Sequence, residues 1–347
     1  MRIGIPREVK DGEQRVALSP HGIRGLVDVV VEPGAGEGVG FSDVDYRKAG
    51  ASLGDPWECE LVVKVKELQE SEYEKPRPGQ TIFGFQHFGP DPELLDAALA
   101  CGATFIAYET VGQAGGRLPI LAPMSAIAGR LAVQLGAWCL LKQNGGSGVL
   151  LTGLDGVPPG KVVIIGAGNV GANALAVAYG LGARVMVFAK SERRFPGLKA
   201  NYPRASFHHG PLGETLADAD LVVGGVLTPG QMSPKLISRA MLRAMRPGSA
   251  LVDVGIDQGG IAETSRPTSH SEPTFIEEGV VHYCVPNIPA ACARTASLAL
   301  EKAVLPFIDK IVRNQIDADL KTGVQVKAGK VTHQQLARDT GRAYSPL

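Results

Sequence analysis

The sequence predicts an α/β protein of two doubly wound domains joined by long helices, with a cleft between them. Its 347 residues exceed what one ordinary hydrophobic core holds. Short apolar runs alternate with longer helical patterns, and each run is followed by turn residues, as in βα units around a parallel sheet. This alternation occurs twice. The first series has strands expected at Arg2 to Ile5, Val29 to Val31, Leu61 to Val65, Thr81 to Phe85 and Thr104 to Ala107. The second has Lys161 to Ile165, Arg184 to Phe188, Leu221 to Gly225, Leu251 to Val254 and Val280 to Val285.

Ser125 to Gln143 contains no proline and keeps apolar residues at helical spacing, so it reads as one long helix leaving the first domain. The glycines of Asn144 to Gly148 end it, with Gly145 or Gly146 suited to the left-handed turn at a helix C-terminus. A second long pattern, Thr295 to Arg313, is interrupted by Pro306, where the chain is expected to turn and finish the first domain. The resulting division is 1–126 plus about 305–347 against 127–304.

Composition excludes several classes. Apolar residues make up 44% and charged residues 20%, an ordinary globular balance. Lysine plus arginine equals aspartate plus glutamate at 35 each, so no overall field draws in nucleic acid or an anionic membrane. Five cysteines without a CxxC pair argue against a disulfide framework and fit a reducing compartment. No metal is expected, since the histidines are scattered and the adjacent His208 and His209 cannot both face one ion from a short strand. Without a visible signal peptide or a run of membrane-spanning length, the expected location is cytoplasmic.

The most specific motif follows the strand Lys161 to Ile165: Gly166-Ala167-Gly168-Asn169-Val170-Gly171, leading into a small-residue helix. Gly166 permits a tight turn, Gly168 lets backbone approach a pyrophosphate, and Gly171 allows close packing of helix on strand. Asn169 and Val170 begin the helix, whose N-terminal N–H groups face the anion. Between a buried strand and a helix, GxGxxG is a dinucleotide fingerprint and the domain is Rossmann-like. At the end of the next strand, Ala189 stands where an NAD-binding chain carries an acid for the ribose hydroxyls. Lys190, Ser191, Arg193 and Arg194 could bind a 2′-phosphate there, so NADP(H) is favoured and NAD(H) remains possible, with Glu192 as a surrogate ribose ligand.

In open parallel sheets ligands bind beyond the carboxyl ends of the strands. The first domain places Lys64, Lys66, His87, Tyr108 and Glu109 there, with Arg15 in the loop after the first strand. The second has Leu251 to Gly260, carrying Asp253 within the strand pattern, where it is expected to bond backbone, then Ile256 and Asp257 in the loop. Asp257 is the better functional candidate.

The chain resembles the alanine dehydrogenase family almost end to end. The resemblance runs through Met1-Arg2-Ile3-Gly4-Ile5-Pro6-Arg7-Glu8, Val63-Lys64-Val65-Lys66-Glu67, Tyr108-Glu109-Thr110, Leu121-Ala122-Pro123-Met124-Ser125, Gly255-Ile256-Asp257-Gln258-Gly259-Gly260, Ser265-Arg266-Pro267-Thr268 and Cys284-Val285-Pro286-Asn287-Ile288-Pro289. The nucleotide-binding subunit of nicotinamide nucleotide transhydrogenase is a more distant relative of the same fold, without the His and Asp pattern seen at His87 and Asp257. The resemblance implies that Arg15 and Lys66 hold a substrate carboxylate and carbonyl, that His87 acts as acid and base, and that Asp257 handles protons at the reacting carbon. It further implies that Ser125, Val226, Leu227, Ile256, Asp257, Arg266 and Asn287 line the cofactor cleft, with Asn287 also near substrate, and that the chain forms a homo-oligomer, hexamer or dimer.

Ala189, Ala126, Phe88-Gly89 and Pro286 depart from the family pattern, which suggests a changed cleft rim and a different substrate side chain. The expected activity is reversible oxidative deamination of a small L-amino acid, or reductive amination of a 2-oxo acid with ammonia or an amine. The alternatives are an NADPH-dependent imine or oxo-acid reductase with a larger substrate, and a nucleotide-binding module without chemistry of its own.

Overall fold

The computed structural model describes residues 1–226 and 232–347. It divides into two compact units, Met1–Met124 with Cys292–Leu347, and Ser125–Ala291. The return to the first unit comes at Cys292 rather than near 305, because one helix carries the chain from there through residue 312.

The first unit has strands β1 (Ile3–Ile5), β2 (Val29–Val31), β3 (Ser52–Leu53), β4 (Leu61–Val63), β5 (Thr81–Gly84) and β6 (Thr104–Ala107). They lie in the order β3-β2-β1-β4-β5-β6, all parallel. The second unit has β7 (Lys161–Ile165), β8 (Arg184–Ala189), β9 (Ser206–His209), β10 (Leu221–Gly224), β11 (Ala250–Asp253), β12 (Thr274–Glu277) and β13 (Val280–Tyr283). Its order, β9-β8-β7-β10-β11-β13, repeats the first, and β12 is added antiparallel at the outer edge. The chain closes the first sheet with β14 (Val324–Lys327), antiparallel to β6, and β15 (Lys330–Val331). In both sheets the winding reverses beside the first strand, between β1 and β4 and between β7 and β10, which is where such sheets open to ligands.

The central strands β1, β4, β7, β10 and β11 are buried at every position. Continuous apolar runs of this kind are what a sheet covered on both faces requires. β12, β14 and β15 lack such runs because they sit at or near sheet edges.

Two helices differ from expectation. The helix expected over Ser125 to Gln143 spans Leu121–Cys139. It accommodates Pro123 in its first turn, where a missing N–H costs no helical hydrogen bond. Gly145, at φ 83°, instead caps a separate short turn at Lys142–Asn144. The last long helix, Ala293–Val312, runs through Pro306 without ending. Its buried stripe of Leu300, Val304, Phe307, Ile308 and Ile311 continues past the proline. Burial of that stripe outweighs the roughly 3 kcal/mol cost of proline in a helix interior. Among the described residues no helix is long and apolar enough to cross a membrane.

Candidate active site

The outgoing segments of β1, β4, β5 and β6 bring two charge clusters together in the first unit. The deeper one is centred on Lys64, whose side chain is fully buried. Its Nζ donates to Glu72 Oε1 at 2.7 Å and lies 3.4 Å from Glu8 Oε2. Glu8 Oε1 in turn accepts from the Val65 amide at 2.6 Å, pinning backbone between the two lysines. Burial pushes the Glu8 carboxyl up to about 7, against the opposing pull of Lys64 and the Val65 N–H. Burial works against the Lys64 charge, but Glu8 and Glu72 hold its pKa above the ordinary value.

The second cluster joins two residues the sequence singles out. Lys66 Nζ lies 3.5 Å from His87 Nδ1, and Glu67 lies between them as counter-ion. Glu67 Oε2 is 2.8 Å from His87 Nδ1 and 3.3 Å from Lys66 Nζ, and its Oε1 accepts from Lys10. Burial raises the Glu67 carboxyl, yet the His87 hydrogen bond and the charges of Lys66, His87 and Lys10 bring it well below the carboxylate range. A carboxylate on Nδ1 selects the tautomer with its proton there and leaves Nε2 as the basic nitrogen. The side chain of His87 is 43% exposed, against 8% for Lys66.

The loop carrying His87 is locked from several sides. His87 adopts the left-handed conformation, at φ 49°. Its amide donates to Glu109 Oε1 at 2.8 Å, the Gln86 amide donates to the same carboxylate, and the Phe85 ring stacks on the imidazole at 5.8 Å. Such a conformation is uncommon for a residue with a Cβ and persists where surroundings over-determine it. Arg15 is buried and bidentate with Glu13, Nε to Oε1 at 2.7 Å and Nη2 to Oε2 at 2.5 Å, with Nη1 3.3 Å from Met124 Sδ.

Phe88 does not lie on a rim. It is 1% exposed and packs edge-on against Phe105 within the core formed with Leu94 and Leu95. Its departure from the family pattern is therefore a matter of core packing.

In the second unit the three fingerprint glycines separate by environment. A methyl on Gly166, at φ 111°, would come within 2.6 Å of Gly225 O, and one on Gly171 would overlap the carbonyl oxygen of Gly166. Among the described residues, a methyl on Gly168 would meet nothing within 4 Å. Gly166 thus serves the packing of the turn against Gly225, after β10, and Gly171 the packing of the helix on the turn and β7, whereas Gly168 faces open space among the described residues at the start of the helix Asn169–Gly180. Among the described residues no side chain caps that helix, so its first N–H groups remain available to an anion. This is the cradle a dinucleotide pyrophosphate needs. Asn169 is exposed at the helix start and Val170 is buried behind it.

Asp253 is fully buried and accepts from the Gly255 and Ile261 amides and from Ser265 Oγ at 3.1, 2.7 and 2.6 Å, a structural role. Asp257 is exposed in the following turn, and its Oδ1 accepts from the Asn287 amide at 3.3 Å. Lys235 braces this loop from beneath, donating to Gly259 O, Gly260 O and Ala262 O. Ile256 is buried, so only its backbone could face a ligand. Ser125, Ala126, Val226 and Asn287 are half-buried, and Asn287 has φ 56°. The Arg266 guanidinium lies 3.9 Å over the Phe275 ring on edge strand β12, and that strand stands four places along the sheet from β7, which leads into the Gly166 turn. Ala189 ends β8, and Lys190, Ser191, Arg193 and Arg194 follow it exposed. Leu227 lies outside the described residues.

Sequence reasoning missed the counter-ions Glu8, Glu13, Glu67 and Glu72, and the brace Lys235. The signal for Glu67 was its place directly after Lys66, but which carboxylate reaches which cation depends on the strand order.

A dinucleotide cradle in one unit and a carboxylate-anchored imidazole beside an ammonium in the other define a nicotinamide-dependent oxidoreductase. The comparisons identify its family. Residues 4–128 match the alanine dehydrogenase/PNT N-terminal domain and residues 132–334 the corresponding C-terminal domain. The chain belongs to the alanine dehydrogenase/PNT family. It is 47% identical to an alanine dehydrogenase of Halomonas elongata over 99% of this chain and 98% of the relative, and 42% identical to that of Bacillus subtilis over 100% and 96%. A solved L-alanine dehydrogenase superimposes with a TM-score of 0.95 at 43% identity, covering 98% of this chain and 99% of the other. A transhydrogenase from Sinorhizobium meliloti gives 0.83 at 26%, covering 95% and 100%.

Proposed function

We propose that the protein catalyses the reversible oxidative deamination of a small L-amino acid to the 2-oxo acid and ammonia, with NADP(H) preferred over NAD(H). The observation carrying this reading is the Lys66–Glu67–His87 cluster, in which one carboxylate fixes an ammonium and an imidazole 3.5 Å apart. Lys66 withdraws electron density from the substrate carbonyl, and His87 Nε2 exchanges the proton of the oxygen that becomes or leaves as water. Arg15 is assigned the substrate carboxylate, and Asp257 the orientation of ammonia or water. The nicotinamide supplies or accepts the hydride. Gly168 and the amides at the start of Asn169–Gly180 hold the pyrophosphate, and Lys190, Ser191, Arg193 and Arg194 face the ribose.

Steady-state kinetics with 2-oxo acids of increasing size, each with ammonia and with methylamine and either cofactor, tests the assignment. Turnover of small oxo acids with ammonia and NADPH is expected. Activity restricted to bulky oxo acids or to amines would favour an imine reductase, and equal efficiency with NADH would remove the cofactor preference. His87→Ala should retain cofactor binding and lose about two to four powers of ten in turnover; unchanged turnover would refute its role.

A further inference from the structure

The position that lacks a ribose-binding acid, Ala189, is flanked by an imidazole from the neighbouring strand. β8 and β9 are parallel and pair Phe188 with His208 and Ala189 with His209. Residues in register on adjacent strands share a face, so His208 and His209 divide between the two sides of the sheet. His208 stacks on Phe188 at 5.3 Å. His209 stands on the face of Ala189, where its Nε2 lies 3.1 Å from Glu192 Oε1. Glu192 is the single acid in the segment Lys190-Ser191-Glu192-Arg193-Arg194, and it is the carboxylate that would repel a phosphate on the ribose.

We propose that His209 is a specificity-determining positioning residue. It tethers Glu192 to the edge of β9, leaving Lys190, Ser191, Arg193 and Arg194 as the groups that meet the 2′-phosphate. This rests on the NADP(H) preference proposed above and supplies the device behind it. A tether from β9 acts through Glu192 and needs no contact of its own with the cofactor. Deleting Glu192 must therefore cancel the effect of deleting His209.

The test is calorimetric binding of adenosine 2′,5′-bisphosphate and of 5′-AMP, which differ only by the 2′-phosphate. The proteins are the wild type, His209→Ala, Glu192→Gln and the double variant. The wild type should bind the bisphosphate more tightly. His209→Ala should lower that preference about three- to fivefold, the scale of one exposed charge contact, with 5′-AMP affinity held. Glu192→Gln and the double variant should both match or exceed the wild-type preference. Loss in His209→Ala that persists in the double variant, or no loss at all, overturns the tether while leaving the cofactor reading intact. Absence of any preference in the wild type overturns the cofactor reading first, and the tether with it.

Discussion

Glu8→Gln should change how the stability of the first unit depends on pH. Glu8 is buried beside Lys64, with its carboxyl pushed up to about 7, while in the unfolded chain it returns to the usual carboxylate range. Between those two values the native state keeps a proton that the unfolded state has released, so stability falls as pH rises through the window. The shift corresponds to about 3 kcal/mol in all, of which about 2 kcal/mol falls between pH 5.5 and 8.5. Glutamine preserves an acceptor for the Val65 amide and cannot ionise. The raised Lys64 titration acts only at higher pH, and the lowered Glu67 titration only at lower pH. Trp57, whose ring lies 5.7 Å from Lys64 Nζ, reports unfolding of this unit once Trp138 is replaced by phenylalanine. Urea titrations of Trp57 emission at the two pH values should show the wild type losing about 2 kcal/mol relative to Glu8→Gln on going to pH 8.5. Parallel behaviour of the two proteins would mean that Glu8 ionises as an exposed carboxyl does, refuting the burial argument.

Glu67→Gln removes the carboxylate on His87 Nδ1 and should lower turnover about ten- to a hundredfold with cofactor affinity unchanged, measured by steady-state kinetics and nucleotide titration. Gly171→Ala places a methyl against Gly166 O and should cost about 3 kcal/mol or prevent folding. Gly168→Ala should melt as the wild type does yet bind NADPH at least about tenfold more weakly, separating packing glycine from ligand glycine. Asp253→Asn, with three donors on the native carboxylate, should lower the melting temperature, whereas Asp257→Asn should leave it unchanged and reduce turnover.

The apolar runs at Lys161 to Ile165 and Leu221 to Gly225, and the spacing of Gly166, Gly168 and Gly171, already determine a doubly wound sheet with a dinucleotide turn. Such features depend on neighbours a few residues away, and the strand ends offer Lys66, His87 and Asp257 as candidates for the same reason. Strands β12 and β15 escape notice because edge positions demand no continuous apolar run, and β14, one place in from the edge, because Gln325 and Lys327 interrupt its apolar residues. Helix ends shift where burial overrides local preference, as at Pro306. Only the tertiary structure decided that Glu67 serves both Lys66 and His87, that Glu13 grips Arg15, that Phe88 is core, and that Arg266 rests on Phe275. Each of those pairings follows from strand order and loop path. They join groups whose separation along the chain says nothing of their distance in space, while charge and packing energies depend on that distance alone.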